Sequence, residues 1–152
     1  MAENILFEQL KHSPIFARLD TFMFQTVEAK LVFQKLEAGE MLFNEGEHGD
    51  YMAFVLLGEL VALKTNPDGS TIQIGSVKAG DSTGEMALID ALTRSASVKA
   101  VQLTALVRLS KTDFEMLLTD YPRIGVEMLR GLATMLSLKF RRTSENLTRS
   151  NS

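Results

Sequence analysis

Cysteine is absent from this 152-residue chain. Disulfides, thiolate nucleophiles and cysteine-ligated zinc are therefore excluded, and the composition fits a reducing compartment, with a cytoplasmic location as the default. Histidine is scarce: His12 and His48 are the only two, too few for a site in which several imidazoles converge on one metal. His12 falls in a helix-like entry segment and His48 in a glycine turn, so both are read as surface residues. No third group stands ready to orient a catalytic base for nucleophilic catalysis. Clustered carboxylates and histidines suited to metal-assisted phosphodiester cleavage are missing as well. The residues thus point away from an enzyme and call for no metal and no cofactor. Long apolar runs are also wanting. The longest, around Met52 to Leu63, is broken by Gly58 and Glu59, and the amino terminus carries acids in place of a signal-peptide core. No membrane partner is expected. Positive charge is in short supply, with a net charge of −3 and a pI near 5.4. Direct binding to DNA needs clustered cations to displace counterions and is not expected either. The small basic group of Lys139, Arg141 and Arg142 is read as solvated charge complementing a helix end.

What is there is an ordinary globular composition, 45% hydrophobic and 23% charged, over a length that suits one domain spanning 1–152. Eight of the ten glycines fall between Gly39 and Gly84, where apolar residues form short runs bounded by turns. Tyr51 to Leu57 and Leu60 to Lys64 flank Gly58-Glu59, and Pro67-Asp68-Gly69-Ser70 is a turn before the alternating Ile72 and Ile74. Ser95 to Val101 alternates again, with Ala96, Val98 and Ala100 on one face, and Ala105 to Leu109 is its expected partner strand. Helical patterns lie outside this region, at Ile5 to Leu10, Thr21 to Val32, Lys111 to Thr119 and Pro122 to about Leu147. The expected fold is mainly β with flanking helices. N-terminal helices over 1–32 lead to a jelly-roll-like β-roll of about eight strands over 33–110. C-terminal helices over 111–147, ending in a long one, and a tail over 148–152 complete it.

Pro122 suits the first turn of the last helix, where its missing amide hydrogen costs nothing. Leu129, Leu132, Leu136 and Thr143 trace one seam along that helix, while Met128, Met135 and Phe140 extend the apolar surface sideways. A helix apolar on more than one side is buried on more than one side, which predicts packing on the roll and also against a symmetry mate in a homodimer. A broad amphipathic helix capping a monomer accounts for the same pattern.

One segment carries chemistry. Gly80-Asp81-Ser82-Thr83-Gly84-Glu85-Met86-Ala87-Leu88-Ile89 runs into Asp90 to Thr93 and then Arg94-Ser95-Ala96-Ser97-Val98. Gly84 lets the backbone approach a ligand, and Glu85 to Ile89 has the pattern of one short helical turn whose amides would face an anion. Arg94 adds a planar cation able to hold two phosphate oxygens, and Ser95 offers an amide and a hydroxyl. A carboxylate such as Glu85 would be repelled by the same anion unless it met a neutral donor such as a ribose hydroxyl, so a nucleotide is one reading. A surface ion pair between Glu85 and Arg94, closing a loop and of little energetic worth, is the other.

Gly80 to Val98 resembles the phosphate-binding cassette of the cyclic-nucleotide-binding domain family. The likeness extends to the turns at Gly39, Gly46, Gly49-Asp50, Gly58-Glu59 and Gly80-Asp81, and so covers roughly Ile15 to Leu147. It implies that Glu85 accepts from the ribose 2′-hydroxyl, that Arg94 and the Ser95 amide hold the cyclic phosphate, and that the Met86 and Ala87 backbone lines the cradle after Gly84. Thr83 departs from the family pattern, which often places an apolar or aromatic residue there. Thr143-Ser144-Glu145 is similar to the adenine-reading pair of the bacterial catabolite-activator branch. There the Thr contacts the base in its own subunit, and the Ser reaches the base held by the partner. The resemblance implies a cyclic mononucleotide as ligand, cAMP ahead of cGMP, and an unknown downstream protein as reader. The activator branch continues into a helix-turn-helix domain, whereas this sequence ends at Ser152, a second reason not to expect direct DNA binding. A scaffold of the same fold that binds no nucleotide, and a cyclic di-GMP receptor, are the alternatives.

Overall fold

The computed structural model describes residues 4–90 and 92–150. Two short helices, α1 (Ile5–Leu10) and α2 (Thr21–Glu28), precede eight strands. These are β1 (Val32–Leu36), β2 (Met41–Phe43), β3 (Tyr51–Leu57), β4 (Glu59–Thr65), β5 (Thr71–Lys78), β6 (Ser82–Thr83), β7 (Ser97–Ala100) and β8 (Thr104–Ser110). A 3-10 turn, Glu85–Leu88, separates β6 from β7, and α3 (Lys111–Asp120) and α4 (Pro122–Ser150) follow. The strands form two four-stranded antiparallel sheets, in the orders β1-β8-β3-β6 and β2-β7-β4-β5. The β-roll with flanking helices that the sequence predicts is the fold observed.

Strand β3 shows why the roll holds together. Ala53 and Val55 point between the two sheets, into a core shared with Leu60, Val98 and Leu106. Their neighbours Met52 and Phe54 point the other way, into a second core where α2, α3 and α4 contribute Phe24, Phe114 and Met128. With both faces covered, the strand reads as one continuous apolar run. Strand β8 is built alike, with Leu106 facing the roll and Val107 and Leu109 facing the helices. For that reason it pairs with β1 and β3 and not, as the sequence suggests, with the Ser95 to Val101 strand, which pairs with β2 and β4 in the other sheet.

Two further expectations are corrected, for the end of α2 and for the tail. Helix α2 stops at Glu28, and Val32, assigned to it from sequence, opens β1 opposite Arg108, a position that suits a β-branched side chain. Ile72 and Ile74 lie on the edge strand β5 and stay about half exposed. The tail expected over 148–152 is helical as far as Ser150, since neither glycine nor proline follows Gly131; residues 151 and 152 lie outside the described residues.

Helix α4 settles on the roll through Ile124, Met128, Leu132 and Met135, which advance by four, four and three positions and are all buried. Its close approach depends on glycine: a Cβ on Gly131 would stand 2.1 Å from the Pro14 carbonyl oxygen, and one on Gly125 2.7 Å from Leu118 Cα. The seam expected from sequence therefore divides. Leu132 faces the core with Met128 and Met135, while Leu129 and Phe140 remain exposed, as does Thr143. No described helix is long and apolar enough to cross a membrane.

Candidate functional site

Strand β6 pairs with β3 through Thr83 and Ser82, opposite Ala53 and Phe54, which anchors the segment that follows. Gly84 then takes a left-handed conformation, φ +79°, and turns the chain into Glu85–Leu88, where Ala87 and Leu88 are buried as the anchor. The turn donates the Ala87 amide to the Gly84 carbonyl at 3.1 Å. That amide thus has a partner within the turn, and Met86 and Ala87 line the cavity beside it. Among the described residues the Glu85 and Met86 amides make no such bond.

Gly84, Glu85, Met86, Ala87, Arg94 and Ser95 all line one cavity of about 380 Å³. The structure thus gathers six of the eight sequence-predicted site residues. Thr143 lines an adjoining cavity of about 450 Å³ between the β4–β5 hairpin and α4, and Ala62, Ile74 and Thr83 are common to both. Ser144 is exposed on α4 and lines neither cavity of its own chain. His12 and His48 lie exposed, and no group of three or more potential metal ligands occurs among the described residues.

Arg94 is 6% exposed. Its guanidinium carbon lies 3.9 Å from the Phe43 ring centroid and 4.7 Å from that of Tyr51, an attraction between cation and π-face that gains as water is excluded. Nη2 donates to the Tyr51 carbonyl at 2.8 Å, while Nε is buried without a partner. The backbone is pinned on both sides, Arg94 N donating to the Glu47 carbonyl at 2.7 Å and Gly46 N to the Arg94 carbonyl at 2.9 Å. Burial lowers the pKa of the guanidinium below its usual value, and the nearby Arg108 adds to this, while Tyr51 and Asp50 oppose it.

Glu85 is 7% exposed, and among the described residues no ion pair joins it to Arg94. Its Oε1 instead meets Lys139 Nζ of α4 at 2.5 Å, and its Oε2 is buried without a partner. Lys139, read from sequence as solvated helix-end charge, is thus half-buried and paired. Sequence reasoning missed it, along with Phe43, Tyr51 and Gly49, which seat Arg94. One signal was available: Lys139 precedes Thr143 by four positions and so shares its helix face.

Comparison with known proteins follows the same lines. The family model described as “Cyclic nucleotide-binding domain” matches residues 33–121. The lysophospholipase NTE1 of Phaeosphaeria nodorum is 30% identical over 114 residues, 75% of this chain but only 8% of that protein. A cyclic nucleotide-binding domain from Methylobacillus flagellatus superposes with a TM-score of 0.88 at 27% identity, covering 95% of this chain and 84% of that one. The catabolite activator protein of Thermus thermophilus gives a TM-score of 0.80 at 25% identity, covering 91% of this chain and 63% of that one.

Proposed function

Since the chain belongs to the cyclic nucleotide-binding domain family, we propose that it is a receptor for a cyclic mononucleotide, cAMP in first place. Arg94 and the Ser95 amide take the cyclic phosphate, Glu85 the ribose 2′-hydroxyl, and Thr143 the base. The observation that carries this reading is a pair of oppositely charged side chains on one cavity, each more than nine-tenths buried and each with an unpartnered polar atom, Arg94 Nε and Glu85 Oε2. Such orphans cost about 1–3 kcal/mol apiece and mark groups that await a partner. A ligand with an oxyanion and a neutral hydroxyl side by side supplies both.

The preference for adenine rests on Thr143. Its hydroxyl proton is committed to the Lys139 carbonyl at 3.0 Å, so the oxygen of this residue of the second cavity is left as an acceptor. An acceptor there suits the exocyclic amine of adenine and opposes the carbonyl of guanine.

On this reading Val126, Leu129, Ala133, Leu136, Phe140, Thr143 and Leu147 form the dimer seam of α4. They recur at spacings of three and four, which is the heptad pattern of paired helices, and Val126, Leu129, Phe140 and Leu147 are between 42% and 73% exposed in the single chain. Pairing would bring Ser144 of one subunit toward the base in the other. Ligand then shifts the population toward the state in which cassette and helix both hold it, and a separate protein reads that state.

A calorimetric titration with cAMP, cGMP and cyclic di-GMP in parallel tests the proposal. One cAMP bound per subunit is the expected result, and Arg94→Ala weakens it by about 2–5 kcal/mol because a buried phosphate charge loses its counter-charge. Undiminished affinity in that variant would overturn the assignment. So would a wild-type chain that binds only the dinucleotide or none of the three.

A further inference from the structure

We infer that Arg108 is a second cation of the anion site: it lies outside the lining of the cavity, shares the Tyr51 ring with Arg94, and makes the site selective for a charged ligand. This rests on the cyclic-phosphate reading given above. Strand β8 sends Leu106 into the core of the roll, and alternation brings Arg108 to the same face, where packing alone calls for an apolar residue. Arg108, Ala53 and Thr83 form one row across β8, β3 and β6, and Thr83 lines the cavity. Two strand spacings, about 10 Å, span that row.

Arg108 is half-buried, and its partners are neutral. Its guanidinium carbon lies 3.6 Å from the Tyr51 ring centroid, nearer than that of Arg94 at 4.7 Å. Its Nη1 donates to Gln34 Oε1 at 3.2 Å, and the ring is itself fixed by the Tyr51 hydroxyl, which donates to the Leu42 carbonyl at 3.2 Å. Among the described residues neither arginine forms an ion pair. A carboxylate partner would cancel the field of the cation, whereas a π-face and an amide hold it and leave the field in place. That field reaches Arg94: burial is the larger cause of its lowered pKa and Arg108 a further one, while Asp50 is the acid that opposes them. Two guanidiniums on one ring repel each other. A phosphate bound at Arg94 offsets that repulsion and is attracted by both charges, and an uncharged ligand gains neither.

The test titrates cAMP by calorimetry into the wild type, Arg108→Lys, Arg108→Met and Arg108→Gln, with thermal melts of the ligand-free proteins to show that each is folded. At about 10 Å, one unit charge in a partly buried setting changes the affinity of a singly charged anion by about threefold to tenfold. Arg108→Met and Arg108→Gln are therefore expected to raise the Kd by that factor at about 50 mM salt, and Arg108→Lys, which keeps the charge, to stay within about twofold of the wild type. The gap between the wild type and the neutral variants narrows at about 500 mM salt, as a loss of charge requires and a loss of packing does not. The two neutral variants differ in shape and polarity, so either one that folds is decisive. Wild type that binds cAMP, with a folded neutral variant that binds equally well or with Arg108→Lys as weak as the neutral variant, overturns this inference alone. Wild type that does not bind cAMP removes the ligand reading and this inference with it.

Discussion

A Cβ added to Gly84 would stand 2.6 Å from Nη1 of Arg94. The glycine that turns the chain into Glu85–Leu88 is therefore also the floor on which the guanidinium rests. Gly49 makes the other wall, where a Cβ would lie 2.7 Å from Nε. Two glycines far apart in sequence leave a slot for one planar cation, and two aromatic rings, Phe43 and Tyr51, hold it there.

Gly84→Ala combines a left-handed backbone with that collision, so it should destabilise the fold by about 1–3 kcal/mol and weaken nucleotide binding. Gly39→Ala is the control. Its φ is +91° and nothing lies within 4 Å of the new Cβ, so it should lower stability through backbone strain while leaving affinity unchanged. Urea unfolding and calorimetric titration of both variants separate strain from loss of the site.

Arg94→Met should leave the stability of the ligand-free protein within about 1 kcal/mol of wild type. The hydrogen bond to the Tyr51 carbonyl contributes about that much, and its loss is offset by removing a buried charge with an unpartnered nitrogen. Nucleotide at a hundredfold excess over the wild-type Kd should stabilise the wild type by about 2.7 kcal/mol and the variant, at the same concentration, by less than about 1 kcal/mol. Thermal melts with and without cAMP check both halves.

Thr143→Val keeps the shape of the side chain and removes its oxygen. Affinity for cAMP should fall by about 0.5–1.5 kcal/mol, the worth of one ordinary hydrogen bond, while affinity for cGMP should hold or rise. Parallel titrations that show equal losses for both nucleotides would place the base elsewhere.

The two faces of α4 should respond oppositely to substitution. Met128→Ala, on the face packed against the roll, should cost about 2–5 kcal/mol of folding stability. Leu129→Glu with Phe140→Glu, on the exposed face, should leave the protomer fold intact and convert a dimer to a monomer in sedimentation equilibrium. A protein that is monomeric before the substitutions would exclude this seam.

The sequence alone determined much of this protein, because much of it is written locally. The glycine turns, the alternation at Ala96, Val98 and Ala100, and the spacing from Gly84-Glu85 to Arg94-Ser95 are short-range patterns, and each corresponds to a feature of the roll or of its cavity. Tertiary structure alone decided which sheet received the Ala105 to Leu109 strand, how Gly49, Phe43 and Tyr51 converge on Arg94, and that Lys139 lies against Glu85. Lys139 and Glu85 are 54 positions apart, and no periodicity relates them. Their meeting depends on the rotation of α4 about its own axis, which is fixed where Gly131 lies against Pro14 and where Met128 and Leu132 enter the core. A helix is 3.6 residues per turn whatever it packs on, so sequence can say which residues share a face of α4, and only packing says what that face meets.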